Sequence, residues 1–179
     1  MGSEVVDTNV LMVATAMEQG WSRPRVPVDD LVVMQRVFRW VKAFREDPSR
    51  LLVMDAPRRT ILEEYNKPKN LSQRDYYGRK VVQHKFDTGA IQFVDLQYWA
   101  NGTEWVAVLP ADVAALFHDL GDRKMVAAAF NADAPIINAT DGDWTEAGPA
   151  QGLQTLGVVV TQLLTPLELA ACKGGRGER

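Results

Sequence analysis

The sequence predicts an α/β protein, a three-layer α/β/α sandwich with a mainly parallel central sheet. Short β-branched apolar runs alternate with segments whose apolar residues recur at helical spacing, which is typical of βαβ units with helices on both faces of a sheet. Of the 179 residues, 46% are apolar, enough for one core. No linker or repeat divides the chain, so we expect a single domain over residues 1–172. The polar tail at 173–179 has no apolar anchor and is expected to be disordered.

The first half of the chain alternates apolar runs with amphipathic segments. The run at residues 5–11 is short and rich in β-branched residues, as in a buried strand. Asp29 or Asp30 can cap the helix predicted by the apolar spacing between residues 31 and 44, and Ser72 can cap a later helix. In chain order we predict a strand at 5–11, a helical segment or the turn leading to one at 13–19, a helix at 31–44, a strand at 51–54, and helices at 58–66 and 71–86.

The second half begins with an ambiguous segment at residues 89–109. Two stretches in it are extended in character and are separated by the turn signal of Asn101 and Gly102. The segment is therefore a hairpin or a local insertion, and the sequence leaves both open. Beyond it we predict a short helix after Pro110, an alanine-rich helix at 123–131, strands at 134–138 and 156–162, and a last helix at 166–171.

Composition narrows the class of protein. The net charge of −3, from 20 Lys and Arg against 23 Asp and Glu, lacks the positive excess of a general nucleic-acid binder. The single cysteine, Cys172, rules out a disulfide framework and suits a reducing cytosol. Asp7 interrupts the only apolar N-terminal stretch, and no apolar run approaches the roughly 20 residues of a membrane span. We expect a soluble cytoplasmic protein without a membrane partner.

Several acidic side chains stand beside apolar segments. Asp7 lies within the first apolar run, where a buried carboxylate is costly unless it is paired or bound to a metal. Ligands of parallel sheets bind beyond the carboxyl ends of the strands, and both Asp7 and Asp141 lie near such ends. Clustered carboxylates repel one another unless a cation neutralises them or a proton is shared. The acids beside apolar segments are Asp7, Glu64, Asp119, Asp122, Asp141 and Asp143.

Such a cluster predicts a Mg²⁺ or Mn²⁺ site, because these ions prefer carboxylate oxygens. The usual chemistry there is attack of metal-activated water on a phosphodiester. Ordinary structural roles stay open for some of the acids. Asp119 and Asp122 can cap a helix and favour its dipole, and one of Asp141 and Asp143 can be a turn residue.

Four segments, in order, resemble the motifs of the PIN-domain nucleases. They read VDTNVL at 6–11, ILEEY at 61–65, DLGDRKMVAAA at 119–129 and IINATDGDW at 136–144. The resemblance covers about residues 4–165 and implies a metal-dependent ribonuclease on a small α/β/α sandwich. Since the family includes toxins, it also implies RNA as substrate and an antitoxin-like protein or a second copy as partner. The chain is longer than the compact toxins, and residues 89–109 look like an extra segment.

The resemblance also implies roles for individual residues. Glu64 is preferred to Glu63 because it precedes the aromatic Tyr65. Thr8 and Asn9 match positions that support the first acid or bind the phosphate side. The implied catalytic residues are Asp7, Glu64, Asp122 and Asp141, and the implied metal ligands are the same four with Asp143 as an additional or outer ligand. The candidate phosphate or RNA contacts are Thr8, Asn9, Arg58, Arg59 and Arg123.

A basic stretch lies between residues 58 and 85, with eight Lys and Arg against three acids. It either guides an RNA backbone, with Tyr76 and Tyr77 stacking on bases, or is a solvated helix face. Two further classes of protein remain compatible with the chain. One is a non-catalytic member of the same fold that binds RNA or protein. The other is a phosphatase of the haloacid dehalogenase type, although Asn9 stands where that class has its second acid.

Overall fold

The computed structural model describes residues 2–20, 26–67, 69–71 and 73–174. Its strands are β1 (Gly2–Val6), β2 (Arg50–Ala56), β3 (Ile91–Asp95), β4 (Tyr98–Asn101), β5 (Glu104–Ala107), β6 (Ile136–Asn138) and β7 (Val160–Gln162). Its helices are α1 (Thr8–Gln19), α2 (Leu31–Glu46), α3 (Thr60–Tyr65), α4 (Tyr77–Asp87), α5 (Ala111–Ala114), α6 (Arg123–Ala132), α7 (Ala147–Leu156) and α8 (Pro166–Gly174). Ser72, the expected cap, and tail residues 175–179 lie outside the described residues.

Five parallel strands form the central sheet in the order β3-β2-β1-β6-β7. Helix α1 packs with α2 and α4, whereas α6 packs against β1, β2 and β3. The α/β/α sandwich that the sequence predicted is confirmed. None of the helices in the described ranges combines the length and apolar character needed to cross a bilayer.

The first strand is shorter than predicted. The prediction of a strand over 5–11 is wrong beyond Val6, because Thr8 already begins α1. Asp7 is the N-cap, with extended backbone (φ −64°, ψ 144°), and its side chain accepts a hydrogen bond from the backbone N–H of Asn9. A short apolar run does not separate a buried strand from a buried helix, so the capping acid was the better signal.

The second half resolves the ambiguous segment. β3 joins the central sheet as an edge strand, and β4 and β5 form an antiparallel hairpin that turns at Gly102, where φ is +61°. The hairpin alternative is therefore confirmed for this part. The strand predicted at 156–162 is only Val160–Gln162, and helix α7 before it was missed. Because α7 contains Pro149 and Gly152, its intrinsic helical signal is weak.

Asp55 connects strand β2, helix α3 and strand β4. It is fully buried at the end of β2, and it accepts hydrogen bonds from the backbone N–H groups of Thr60 (2.7 Å) and Ile61 (2.8 Å) at the start of α3. The hydroxyl of Tyr98 in β4 donates to the same carboxylate at 2.6 Å. Burial raises the pKa of Tyr98 well above its ordinary value, so the phenol remains a donor. Asp55 thus fixes both α3 and the hairpin to the sheet.

Candidate metal centre and nucleic-acid cleft

A cleft of about 850 Å³ lies where β1 and β6 end. Seven carboxylates and three lysines line it, so its charge is strongly negative without a cation. All four acids expected to be catalytic are among them, and Asp143, Thr8 and Asn9 line the same cleft. The lining carboxylates are Asp7, Glu64, Glu104, Asp119, Asp122, Asp141 and Asp143, and the lysines are Lys67, Lys69 and Lys124.

Three of these acids form the acidic triad, namely Asp122, Asp141 and Asp143. One carboxylate oxygen from each lies within 4.8 Å of the other two. Asp122 precedes α6, whereas Asp141 and Asp143 lie in the turn after β6, where the backbone N–H of Asp143 donates to Asp141 Oδ1 at 2.9 Å. Burial, followed by the negative charges of Asp119 and Asp141, raises the pKa of Asp122 to about 8. A cation at the triad would relieve this repulsion.

Asp7 lies deeper, beside the triad. Its exposed fraction is 9%, its Oδ2 accepts a hydrogen bond from Trp144 Nε1 at 2.9 Å, and its Oδ1 accepts from Asn9 N at 3.2 Å. Burial and then the charge of Asp141 raise the pKa of Asp7 to about 6, although the bonds from Trp144 and Asn9 act in the opposite direction. Asp7 is therefore electrostatically coupled to the triad but is held in place by its own two donors.

Glu64 also lines the cleft, but its carboxylate is paired with two lysines. Its Oε2 contacts Lys67 Nζ at 2.6 Å and Lys124 Nζ at 3.0 Å, and Asn70 Nδ2 donates to its Oε1 at 3.1 Å. Burial alone would raise the pKa of Glu64, but the two lysines outweigh burial and lower it to about 2. The charge of Glu64 is thus already compensated, and among the described residues the group within metal-binding distance does not include it.

An amide network holds the turn that carries Asp141. Asn9 Nδ2 donates to Asn138 Oδ1 at 2.9 Å, while Asn9 Oδ1 accepts from the backbone N–H groups of residues 139 and 140 at 2.9 and 3.1 Å. The buried Asn138 in turn donates to the backbone oxygen of Asp141 at 2.7 Å and to Gln162 Oε1 at 2.6 Å. Both ends of the Asn9 amide are used, so its side chain positions the turn instead of facing a phosphate.

Thr8 contributes a buried hydroxyl group to the cleft. Its side chain is only 7% exposed and lines the cleft, yet its buried hydroxyl makes no hydrogen bond within the described residues. An unsatisfied buried hydroxyl costs on the order of 1–3 kcal/mol. A bound cation with its water ligands, or a phosphate oxygen, would satisfy it. The residues present therefore fit a hard divalent cation in both donor chemistry and unsatisfied polar capacity.

The three arginines expected to contact RNA lie outside the cleft. Arg58 stacks on Trp105, with 3.3 Å between its Cζ and the ring centroid. Arg59 is exposed at the start of α3 with a left-handed backbone (φ 61°). Arg123 donates to the backbone oxygens of residues 114 and 117 at 2.7 and 3.3 Å, and so connects α5 and the turn after it to α6.

The tyrosines proposed for base stacking are unsuitable as well, since Tyr76 and Tyr77 are buried. Residues that the sequence interpretation missed include Lys124, Asn138 and Trp144. Lys124 and Trp144 lie within two positions of predicted ligands, and Asn138 is a polar residue in an apolar strand. Their positions, beside predicted ligands or within an apolar strand, were the signals from which these residues could have been found.

Comparison with known proteins assigns no family. Neither the family models, nor the curated proteins, nor the solved structures include a match to this chain.

Proposed function

We propose that the protein is a Mg²⁺- or Mn²⁺-dependent endoribonuclease of PIN type that acts in the cytoplasm. The observation that carries this proposal is the acidic triad, whose three carboxylate oxygens lie within 4.8 Å of one another beside the buried Asp7. Acids brought this close, with Asp122 from the start of α6 and Asp141 and Asp143 from the turn after β6, are costly to maintain without a positive ligand. The resemblance adds an antitoxin-like protein or a second copy as proposed partners.

The donor set favours a hard cation. The triad offers only carboxylate oxygens, which suit Mg²⁺ and Mn²⁺ better than softer metals. Asp122, Asp141 and Asp143 would hold the ion. When bound, such an ion supplies an activated water and offsets negative charge on the phosphate. Asp7 is fixed beside the triad by Trp144 and Asn9, and the Thr8 hydroxyl would be available to a water or phosphate oxygen.

The lysines around Glu64 supply the positive part of the cleft. Lys67 and Lys124 are held at 2.6 and 3.0 Å from one carboxylate oxygen, so Glu64 acts as their positioning residue. A nucleic-acid backbone entering the cleft brings phosphates that compete with Glu64 for these ammonium groups. Glu64 of α3 thus orients the two lysine ammonium groups towards the substrate, whereas the triad holds the metal.

The pairing of Glu64 also favours a second candidate function, a non-catalytic RNA- or protein-binding module. One of the four acids expected to bind metal is neutralised by two lysines. A site with weakened metal affinity but intact lysines would bind RNA without cutting it. The two functions differ in whether RNA is cleaved when a divalent cation is present.

The test uses labelled single-stranded RNA with Mn²⁺, Mg²⁺ or EDTA. We expect cleavage only with a divalent cation, and its loss in Asp141→Asn. Asp133→Asn is the matched control, because Asp133 is an exposed acid at the far end of α6, in a left-handed conformation that Asn tolerates. Titration with Mn²⁺ alone should show binding to the control and weak or no binding to Asp141→Asn.

Three results would count against the nuclease. RNA binding without cleavage under any divalent cation supports the binding module. Phosphate release from small phosphomonoesters supports a phosphatase. Equal cleavage by Asp141→Asn and Asp133→Asn contradicts the assignment of the triad.

A further inference from the structure

The β4–β5 hairpin borders a second groove that joins the cleft. This groove has a volume of about 210 Å³ and is lined by Trp105 and Val106 of the hairpin. Glu64, Lys67 and Lys124 line both the groove and the cleft, so the two are continuous. A ligand held at the acidic triad can therefore extend past the lysines to the hairpin.

Trp105 is an aromatic residue that lines this groove. The residue is 43% exposed, so part of it remains in contact with water. The guanidinium of Arg58 stacks on the ring at 3.3 Å from the centroid, and Arg58 itself does not line the groove. Arg58 therefore supports the ring from outside the groove. Indole rings supported in this way are suited to stacking on nucleobases.

The hairpin is fixed relative to the cleft. Tyr98 of β4 donates to Asp55 at 2.6 Å and lies 2.8 Å from Thr60 Oγ1, the first residue of α3. Helix α3 carries Glu64, the partner of both lysines, so one buried carboxylate holds the start of that helix and strand β4 of the hairpin together. A platform that is already positioned loses little conformational freedom on binding.

We propose that Trp105, backed by Arg58, stacks on an unpaired nucleobase of an RNA strand whose backbone passes Lys67 and Lys124 to the acidic triad. The identity of this ligand rests on the proposed function. Glu104 lines both the groove and the cleft, and its negative charge disfavours a phosphate beside it. Stacking recognises the face that all bases share, so this contact selects single strands and not a sequence.

The experiment measures binding of a fluorescent single-stranded oligoribonucleotide by anisotropy with Mg²⁺ present. The full chain carries Asp141→Asn, which prevents cleavage and removes one negative charge. We expect Trp105→Ala to weaken binding about tenfold, in the range found for stacked bases, and Trp105→Phe to restore most of it. Trp99→Ala is the matched control, since Trp99 is on the same hairpin and equally 43% exposed but does not line the groove. It should remain within twofold of the parent.

A second measurement assigns the contact to a base. An abasic nucleotide is placed at each position of the oligonucleotide in turn. At one position we expect the abasic substitution to weaken binding about tenfold in the parent and to have no effect in Trp105→Ala. Trp105→Leu keeps an apolar side chain without an aromatic face. It replaces Trp105→Ala if the alanine variant fails to fold, and we expect the same loss of affinity from it.

The outcomes separate this inference from the nuclease. If the wild type cleaves RNA but Trp105→Ala and Trp105→Leu bind like Trp99→Ala, the stacking contact is overturned and the nuclease stands. If no cleavage occurs but affinity still depends on Trp105 and on one base, the contact stands and the nuclease fails. If Trp105→Ala changes only the sedimentation of the protein, the ring serves a protein contact and the inference is overturned.

Discussion

Neutralising Asp122 should make the metal-free protein more stable while it abolishes metal binding. The pKa of Asp122 is about 8 in the folded chain, against roughly 4 for an unfolded aspartate. The folded state therefore holds this proton more tightly, and stability falls as the pH rises from about 4 to about 8. At pH 7 the difference corresponds to about 4 kcal/mol as an upper limit, at about 1.4 kcal/mol per pH unit.

Asp122→Asn removes this penalty with nearly the same side-chain shape. Because Asp122 is partly exposed, screening reduces the effect, and we expect a gain of about 2 kcal/mol in the free energy of unfolding at pH 7. Loss of the favourable interaction with the dipole of α6 costs less, about 0.3–1 kcal/mol. The net change should therefore be positive.

The assay is urea denaturation in EDTA at pH 4.5 and pH 7, with Asp133→Asn as control. The advantage of Asp122→Asn should shrink at pH 4.5, because this pH is close to the pKa of the unfolded aspartate and taking up the proton on folding then costs little free energy. With Mn²⁺ at 100 times its dissociation constant the wild type should gain about 2.7 kcal/mol and the variant should not. A variant that is less stable than the wild type at pH 7, or an advantage that does not depend on pH, would refute the electrostatic argument.

Two further predictions concern groups beside the triad. Thr8→Val should leave the metal-free stability unchanged or raise it slightly, because the buried hydroxyl makes no hydrogen bond to the described residues, yet it should lower RNA cleavage. Urea denaturation and initial rates check the two parts, and a loss of more than about 1 kcal/mol would show a hidden partner. Trp144→Phe removes the donor to Asp7 and should raise the pKa of that acid further, so the low-pH limb of the pH–rate profile should move to higher pH; an unchanged limb would contradict the role given to this bond.

The sequence was sufficient for the order of most of the strands and helices and for most of the acids in the cleft. Alternating apolar runs predict βαβ units, and the carboxyl ends of adjacent parallel strands lie at one edge of a sheet. Asp7 was therefore correctly predicted to lie at this edge, although the predicted strand was longer than β1. Asp141 and Asp143 were found for the same reason, since they follow β6 directly.

The charged and hydrogen-bonding partners of each acid could not be predicted from the sequence in the same way. The lysines that neutralise Glu64 include Lys124, sixty positions away, and the donor that holds Asp7 is Trp144, 137 positions away. Such contacts depend on which helices become neighbours and not on local patterns. Helix α7 was missed because its glycines and proline weaken the local signal, and its formation depends on packing against the rest of the fold.

The amide network of Asn9, Asn138 and Gln162 has a consequence for how the centre responds to its surroundings. None of these three side chains ionises, so acidification, or removal of an ion from the proposed site, should leave their hydrogen bonds in place. The turn bearing Asp141 should then keep its shape while the charges around it change. Exchange between Mg²⁺ and Mn²⁺ at such a site would require no rearrangement of this turn.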